Sequence, residues 1–220
     1  MASIDQSKKI FILGSIFLGV LVVVGLVWAI ASDTSAGNGT TTAPTFVDTN
    51  DQTFGPADAT VTIRVFSDFQ CPACRSADAG LRYAMATYGN RVKFVWNDFP
   101  LQSIHANSLL ASDAARAAGE QGKFWEYSER LFADQPNWES LADPTEKFIA
   151  YAQALDLDAT AFNAALTNRK YESFVMDDLR EGGAIGIEAT PTFYINDTKF
   201  LGALDRDTWD KEIKARLGQP

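Results

Sequence analysis

Two cysteines, with two residues between them, lie between a segment that favours a strand and a segment that favours a helix. Residues Thr60–Phe66 are rich in β-branched side chains, which predicts a strand. Residues Arg75–Tyr88 are dense in Ala, Leu and Met and contain no proline, which predicts a helix. Cys71 and Cys74, in the sequence CPAC, stand between the two. The alternating segment Arg91–Trp96 predicts a second strand, and a strand–helix–strand unit makes its two strands parallel.

The rest of the domain predicts a helical insertion, a pair of strands and a final helix. Within residues 101–185 the pattern predicts helices at His105–Gln121, Phe124–Phe132, Thr145–Leu155 and Phe162–Leu179. Aromatic residues at spacings that suit the core of this insertion are Phe124, Trp125, Tyr127, Phe132 and Trp138. The later elements are strands at Thr192–Ile195 and Lys199–Leu201 and a helix near Arg206–Leu217. This order predicts an α/β fold interrupted by helices.

Residues Ile10–Ala31 form a run of 22 residues without a charge. As a helix the run is about 33 Å long, enough to cross a hydrocarbon core of about 30 Å. Lys8 and Lys9 precede it and predict a cytoplasmic N-terminus, with everything after Ala31 exported. The alternative is a cleaved signal peptide, because Ala29–Ala31 fits a cleavage site, but the run exceeds the usual ~7–15 apolar residues. We therefore expect a retained signal-anchor in a single-pass membrane protein.

These patterns divide the chain into four regions. Residues 1–9 are expected to be a cytoplasmic tail and residues 10–31 a transmembrane anchor. Residues 32–53 are expected to be a flexible linker, since Ser32–Thr45 contains no large apolar side chain. Residues 54–220 are expected to form the folded domain, with its helical insertion at about 101–185.

Charge and cysteine content exclude two classes of function. The formal net charge of −9 repels phosphate backbones, so we expect no nucleic-acid partner. Two cysteines and one histidine cannot supply the four ligands of a structural zinc site, so we expect no metal. The expected redox group is the cysteine pair itself, without a further cofactor.

The position of Cys71 before a proline predicts a reactive thiol. Pro72 is favoured at the first helical position, which places Cys71 at or next to the N-cap. Unpaired backbone N–H groups and the helix dipole stabilise a thiolate there, so we expect Cys71 to be the attacking, solvent-accessible thiol. Cys74 is expected to face the core and to resolve mixed disulfides by attacking Cys71. A purely structural disulfide is less favoured, because closing so short a loop removes little chain entropy.

From about Phe54 onward, the chain resembles the DsbA-like disulfide oxidoreductases of the thioredoxin superfamily. The matching segments occur in family order: GPADATVTIRVFSDFQCPACR, KFVWNDFPL, HANSLLASDAARAAGEQGKFWEYSERLF and GIEATPTFYIN. The resemblance implies a thioredoxin-like fold with a helical insertion and a cis peptide bond at Thr190–Pro191 beside the cysteines. In that family this loop presents backbone groups to a substrate lying alongside as an added strand. It therefore implies substrate-binding roles for Pro72, Thr190 and Pro191.

The chain departs from the family at two positions. Ala73 stands where strongly oxidising members often carry histidine, which predicts a milder oxidant. Val65 stands where many relatives carry a buried acid, so proton transfer near Cys74 falls to Asp68 or to water, or is slower. A turn or capping role is the favoured alternative for Asp68. His105, the only histidine, is expected to pack or hydrogen-bond at a helix start rather than to act in catalysis.

The expected function is an enzyme that forms disulfides in exported proteins through Cys71 and Cys74. Its expected partners are thiol-bearing exported clients and a membrane-bound, quinone-linked protein that reoxidises the cysteine pair. A disulfide isomerase or reductase, in which Cys71 rests reduced, shares every motif and stays open. A non-catalytic chaperone or adaptor is less favoured, because both cysteines are intact.

Overall fold

A mixed β-sheet forms the centre of the domain in the computed structural model, which describes residues 44–47 and 51–219. Its strands are β1 (Gln52–Phe54), β2 (Val61–Ser67), β3 (Val92–Asp98), β4 (Thr192–Ile195) and β5 (Thr198–Leu201). Across the sheet the order is β1-β3-β2-β4-β5. Strands β2 and β3 are parallel, as predicted, and the other neighbours are antiparallel.

Helices cover this sheet and form the insertion. They are α1 (Pro72–Tyr88), α2 (Ser108–Glu120), α3 (Phe124–Ala133), α4 (Thr145–Ala154), α5 (Ala159–Thr167), α6 (Glu172–Ala184) and α7 (Arg206–Arg216). The predicted α/β fold with a helical insertion is confirmed, and most element ends lie within three residues of their predicted positions. In the described part of the chain, none of these helices has the length and apolar character needed to cross a bilayer. The predicted tail at residues 1–9, anchor at Ile10–Ala31 and cleavage site lie outside the described residues.

Strand β2 is central and almost wholly buried, and its buried residues include Arg64 and Ser67 besides the apolar ones. Val61, Ile63 and Val65 belong to the main core cluster, together with α1 and both cysteines. Phe66 points to the opposite face, where its ring meets that of Tyr194 edge-on at 6.3 Å. The strand therefore delivers the chain directly to the cysteine pair.

The single helix predicted at Phe162–Leu179 is wrong, because the chain forms two helices there, α5 and α6. Arg169 between them adopts a φ of +46°. The amide of Lys170 bonds to the carbonyl of Ala165 at 3.0 Å, which closes the last turn of α5. Neither glycine nor proline marks this break, so the sequence carried no ordinary signal for it.

Strand β1 begins at Gln52, inside the segment expected to be a linker. It pairs antiparallel with β3, with Gln52 opposite Trp96. Phe54 supplies an aromatic contact with Phe94, at 6.3 Å between ring centroids. Three residues are too few to show an alternating pattern, so this strand depends on the free edge that β3 offers.

The insertion has an aromatic interior, as predicted. Tyr127 and Trp138 are fully buried, and Phe124 and Phe132 nearly so. The hydroxyl of Tyr127 donates to the carbonyl of Phe148 at 2.9 Å, which satisfies a buried polar group. Trp125 is only partly buried against the core.

A buried ionic cluster joins the insertion to strand β3. Arg116 of α2 donates to Asp98 through Nε at 2.5 Å and to Asp178 of α6 through Nη2. The amide of Asp98 also donates to Asp178, at 2.7 Å. Burial, together with the neighbouring Asp98 carboxylate, raises the pKa of Asp178 to about 8. The cluster fixes the end of β3, whose next residue bonds to Ser67 beside the cysteines.

Candidate active site

Cys71 occupies the N-cap of α1, as predicted. Its backbone is extended, with φ −73° and ψ 123°, and Pro72 begins the helix. The carbonyl of Cys71 accepts the first helical hydrogen bond, from the Arg75 amide at 3.1 Å. The Cys71 sulfur thus lies at the positive end of the helix dipole.

The two sulfurs have different surroundings, although both residues are free thiols. Cys71 is 7% exposed and Cys74 is 2% exposed. Cys71 is therefore less accessible to solvent than expected, because the loop at Thr190 covers part of its side chain. The Cys71 sulfur lies 3.6 Å from the Thr190 carbonyl oxygen, and the Cys74 sulfur accepts from the Asp68 amide at 3.5 Å.

These surroundings move the two thiol pKa values in opposite directions. A hydrogen bond from the Cys74 thiol is the main cause of a Cys71 pKa lowered to about 5. Burial opposes that shift, while the Thr190 side chain and the Ala73 amide support it. Burial raises the pKa of Cys74 well above its ordinary value, and the Cys71 neighbour adds to the rise. The backbone amides of Ala73 and Cys74, at the helix N-terminus expected from the sequence to stabilise the thiolate, add to the lowering of the Cys71 pKa.

The Thr190–Pro191 peptide bond is cis, as the family resemblance implied. Strand β4 pairs antiparallel with β2, with Thr192 opposite Phe66. Residues before Thr192 therefore run beside residues after Phe66, which brings Thr190 to Cys71. The Gly202 amide donates to the Pro191 carbonyl at 2.9 Å and holds the loop against β5.

The segment before Cys71 is anchored in the insertion by an aromatic ring. Phe69 is fully buried and stacks on Trp96, with 4.7 Å between ring centroids. Its ring also meets Phe132 of α3 at 5.1 Å. Gln135 donates from Nε2 to the carbonyls of Phe69 at 2.7 Å and Cys71 at 3.1 Å. The insertion thereby fixes the backbone that carries the reactive thiol.

A second amide network ties the same segment to the loop after α3. Gln70 donates to the Glu139 carbonyl at 2.7 Å and accepts from the Asn107 amide at 2.7 Å. Asn107 donates to the Leu141 carbonyl at 2.9 Å. Nothing in the sequence indicates these contacts, since amide side chains are common and the partners lie far apart in the chain.

Asp68 is fully buried and its carboxylate accepts three hydrogen bonds. Oδ1 accepts from the Gln70 amide at 2.7 Å, which is the turn geometry named above as the alternative role. Oδ2 accepts from the Leu101 amide at 2.9 Å and lies 2.7 Å from His105 Nδ1. His105 therefore makes a hydrogen bond just before α2, as expected, and its partner belongs to the cysteine segment.

The site residues predicted from the sequence thus lie close together at the start of α1. Cys71, Pro72 and Cys74 form the start of α1, Thr190 contacts Cys71, and Pro191 follows it. Asp68 contacts Cys74 through its backbone, while its carboxylate is occupied by donors other than the thiols.

The fold is similar to three solved structures. BdbD from Bacillus subtilis is 24% identical, with 77% of this chain and 94% of BdbD covered at a TM-score of 0.68. The thiol-disulfide exchange protein alpha-DsbA2 from Wolbachia pipientis is 20% identical, with 76% and 88% covered at 0.67. The catalytic domain of Proteus mirabilis ScsC is 22% identical, with 79% and 93% covered at 0.64. These likenesses show a shared fold.

Part of the chain is also similar to proteins named as Na(+)/H(+) antiporters. NhaA 1 of Salinispora arenicola is 33% identical over 153 residues, which are 70% of this chain and 22% of that protein. NhaA 3 of Salinispora tropica is 34% identical over 152 residues, which are 69% of this chain and 22% of that protein. The chain spans about a fifth of the length of these relatives.

The family itself follows from a match over most of the chain. A family model described as thioredoxin matches residues 48–215, from the start of the sheet into α7. The matched region contains both the cysteine pair and the cis peptide bond at Thr190–Pro191. These two features lie in contact through Cys71 and Thr190. The chain therefore belongs to the thioredoxin family.

Proposed function

We propose that this protein oxidises thiols of exported proteins through the Cys71–Cys74 pair, in a domain held outside the cytoplasm. The observation that carries the proposal is the placement of Cys71 at the N-cap of α1 against the Thr190 carbonyl, with Cys74 buried beside it, which moves the two thiol pKa values in opposite directions. A thiolate-stabilised Cys71 is a good leaving group, and a buried Cys74 holds its proton. This asymmetry suits a disulfide that is readily given up to a client.

The exchange has two steps. A client thiolate attacks the Cys71 sulfur of the Cys71–Cys74 disulfide, the S–S bond breaks, and Cys74 leaves and takes a proton. A second client thiolate then attacks the client sulfur of the mixed disulfide and releases Cys71 as a thiolate. Two electrons pass from the client dithiol to the cysteine pair, and the client gains one disulfide.

The client segment lies along the loop that contacts Cys71. Thr190, which contacts Cys71, and Pro191 would bind the client segment through their backbone, and Pro72 is the exposed first residue of α1 next to Cys71. Backbone groups of such a loop can pair with an extended segment without reading its sequence. The loop therefore supports a broad range of exported clients.

The preference for oxidation rests on how stable the Cys71 thiolate is. A thiolate that is favoured in the reduced protein makes the disulfide less stable and the protein more oxidising. Ala73 offers no cation to Cys71, which limits the effect. A mild oxidase of this kind needs a partner that reoxidises the pair, and a quinone-linked membrane protein supplies that oxidant.

Location is proposed from the sequence alone. The uncharged run Ile10–Ala31 after Lys8 and Lys9 supports an anchor with the domain on the outer side. Ion transport, named for the antiporter relatives, is not carried over, because the match covers about a fifth of their length.

The proposal is tested with the full-length protein and a reduced peptide that contains two cysteines. The oxidised protein should form the peptide disulfide at one equivalent per molecule, and Cys71→Ser and Cys74→Ser variants should form none. The Ser76→Ala variant, altered on the exposed side of α1, serves as the matched control and should retain the activity. Equal peptide oxidation by the cysteine variants would contradict the proposal.

A further inference from the structure

A buried carboxylate lies beside the cysteine pair. The Asp68 amide contacts the Cys74 sulfur at 3.5 Å, so the carboxylate of the same residue lies within about 7 Å of that sulfur. This distance is shorter than the screening length of physiological salt, and Asp68 is fully buried, so solvent screens it little. Any uncompensated charge on Asp68 therefore acts on the thiols.

Three donors hold this carboxylate: two are backbone amides and one is a side chain. Gln70 and Leu101 contribute the backbone amides. His105 contributes a ring nitrogen at 2.7 Å, the one donor that a substitution can remove. Since an ionised carboxylate only accepts hydrogen bonds, His105 Nδ1 is the donor in this contact.

The contact also joins two parts of the fold. Asp68 lies between β2 and α1, and His105 lies in the segment that leads from β3 into α2. The His105 carbonyl accepts from the Ser108 hydroxyl at 2.7 Å, which ties the histidine backbone to the start of α2. The ring is 16% exposed, so the contact lies at the edge of the core. The insertion thereby reaches the cysteine segment through a side-chain hydrogen bond.

We propose that His105 is a positioning residue for the disulfide exchange: through Nδ1 it donates a hydrogen bond that holds the buried Asp68 carboxylate, which keeps the Cys71–Cys74 disulfide oxidising. This role deepens the proposed function and rests on it. Without His105 the carboxylate loses one of its three donors, so more of its negative charge acts on the Cys71 thiolate that the exchange releases. The disulfide then becomes more stable and the protein a poorer oxidant.

Four substitutions separate the effect of the hydrogen bond between His105 and Asp68 from the effect of side-chain packing. His105→Ala removes the donor. His105→Asn retains a nitrogen on the carbon that carries Nδ1 in histidine, so it can restore the hydrogen bond. Asp68→Asn removes the charge and retains an oxygen that accepts from the backbone amides. Gln102→Ala, in the same loop, has its side chain on Met176 and serves as the matched control.

The experiment measures two quantities on the full-length protein: thiolate absorbance against pH, and the equilibrium with glutathione redox buffer. We expect His105→Ala to raise the Cys71 pKa by about one unit and to make the disulfide about tenfold harder to reduce, equivalent to about 30 mV. His105→Asn should recover most of this change, and Gln102→Ala should produce none. In an Asp68→Asn background, His105→Ala should have little further effect.

Three results would overturn the inference. The first is an unchanged Cys71 pKa and potential in a folded His105→Ala protein. The second is a full effect of His105→Ala in the Asp68→Asn background. The third is an equal change of the Cys71 pKa and the potential in His105→Asn and His105→Ala, which would indicate that His105 acts by packing alone. If His105→Ala unfolds, His105→Asn still decides, because it should then resemble the unaltered protein. Peptide oxidation by the unaltered protein is scored separately, so failure of the proposed function is distinguishable from failure of the His105 role.

Discussion

The sulfur of Cys71 lies 3.6 Å from the carbonyl oxygen of Thr190, although 119 positions separate the two residues. The contact exists because β4 pairs antiparallel with the central strand β2, whose C-terminal end leads to Cys71. One sheet pairing thus places the reactive thiol beside the loop proposed to hold the client. The predictions below test parts of this arrangement.

The division of labour between the two cysteines predicts which variant traps clients. In Cys74→Ser, Cys71 still forms a mixed disulfide, but the residue that resolves it is gone. We expect client proteins to accumulate as adducts visible on non-reducing gels, and Cys71→Ser to form none. Trapping by Cys71→Ser alone would reverse the assignment.

The Gln135 side chain predicts a stability effect transmitted to the cysteine segment. In Gln135→Leu, the buried carbonyls of Phe69 and Cys71 lose their shared donor, which costs about 1–3 kcal/mol of unfolding free energy. Urea denaturation measures this loss. Gln153→Ala, exposed on α4, is the matched control and should change stability by less than about 0.5 kcal/mol. Equal stability of the two variants would contradict the role of Gln135.

The buried ionic cluster predicts a pH dependence of stability. The folded pKa of Asp178, about 8, lies above the ordinary carboxyl value of 3.8, so the folded protein holds the proton more tightly than the unfolded chain does. The resulting stabilisation is fully present below about pH 4 and is lost as pH rises through about 8, at up to about 1.4 kcal/mol per pH unit.

Asp178→Asn keeps an oxygen for Arg116 and the Asp98 amide but cannot ionise. We expect it to flatten the slope of unfolding free energy between pH 5 and 8, measured by urea denaturation. Asp177→Asn, on the exposed side of α6, is the control and should retain the slope. An unchanged slope in Asp178→Asn would show that Asp178 does not govern this dependence.

The sequence also predicts a retained anchor. Membrane fractions should contain the full-length chain, resistant to high-salt extraction, because Ile10–Ala31 is long enough to span the bilayer. N-terminal sequencing of the purified protein measures this directly. A mature N-terminus at Ser32 would establish cleavage and would leave export intact.

Features set by neighbouring residues were predictable from sequence. Pro72 indicates the start of α1, and therefore the N-cap position of Cys71, because its ring fixes a helical φ and needs no amide partner. The proximity of Thr190 to Cys71 was predictable only from the family resemblance, since no spacing in the chain indicates it. Gln135 and His105 were not assigned to the site, because their contacts arise from how the insertion packs on the cysteine segment. Their residue types occur in many other settings.

The reduction potential of the Cys71–Cys74 disulfide tests the central claim most directly. The full-length protein is equilibrated in glutathione redox buffers, and the fraction of disulfide is measured. A Cys71 pKa of about 5 lies between the values of about 7 for thioredoxin and about 3.5 for DsbA. We therefore expect a potential between about −270 and −120 mV, the values of those two proteins. A potential at or below about −270 mV would contradict the account and would favour a reductase.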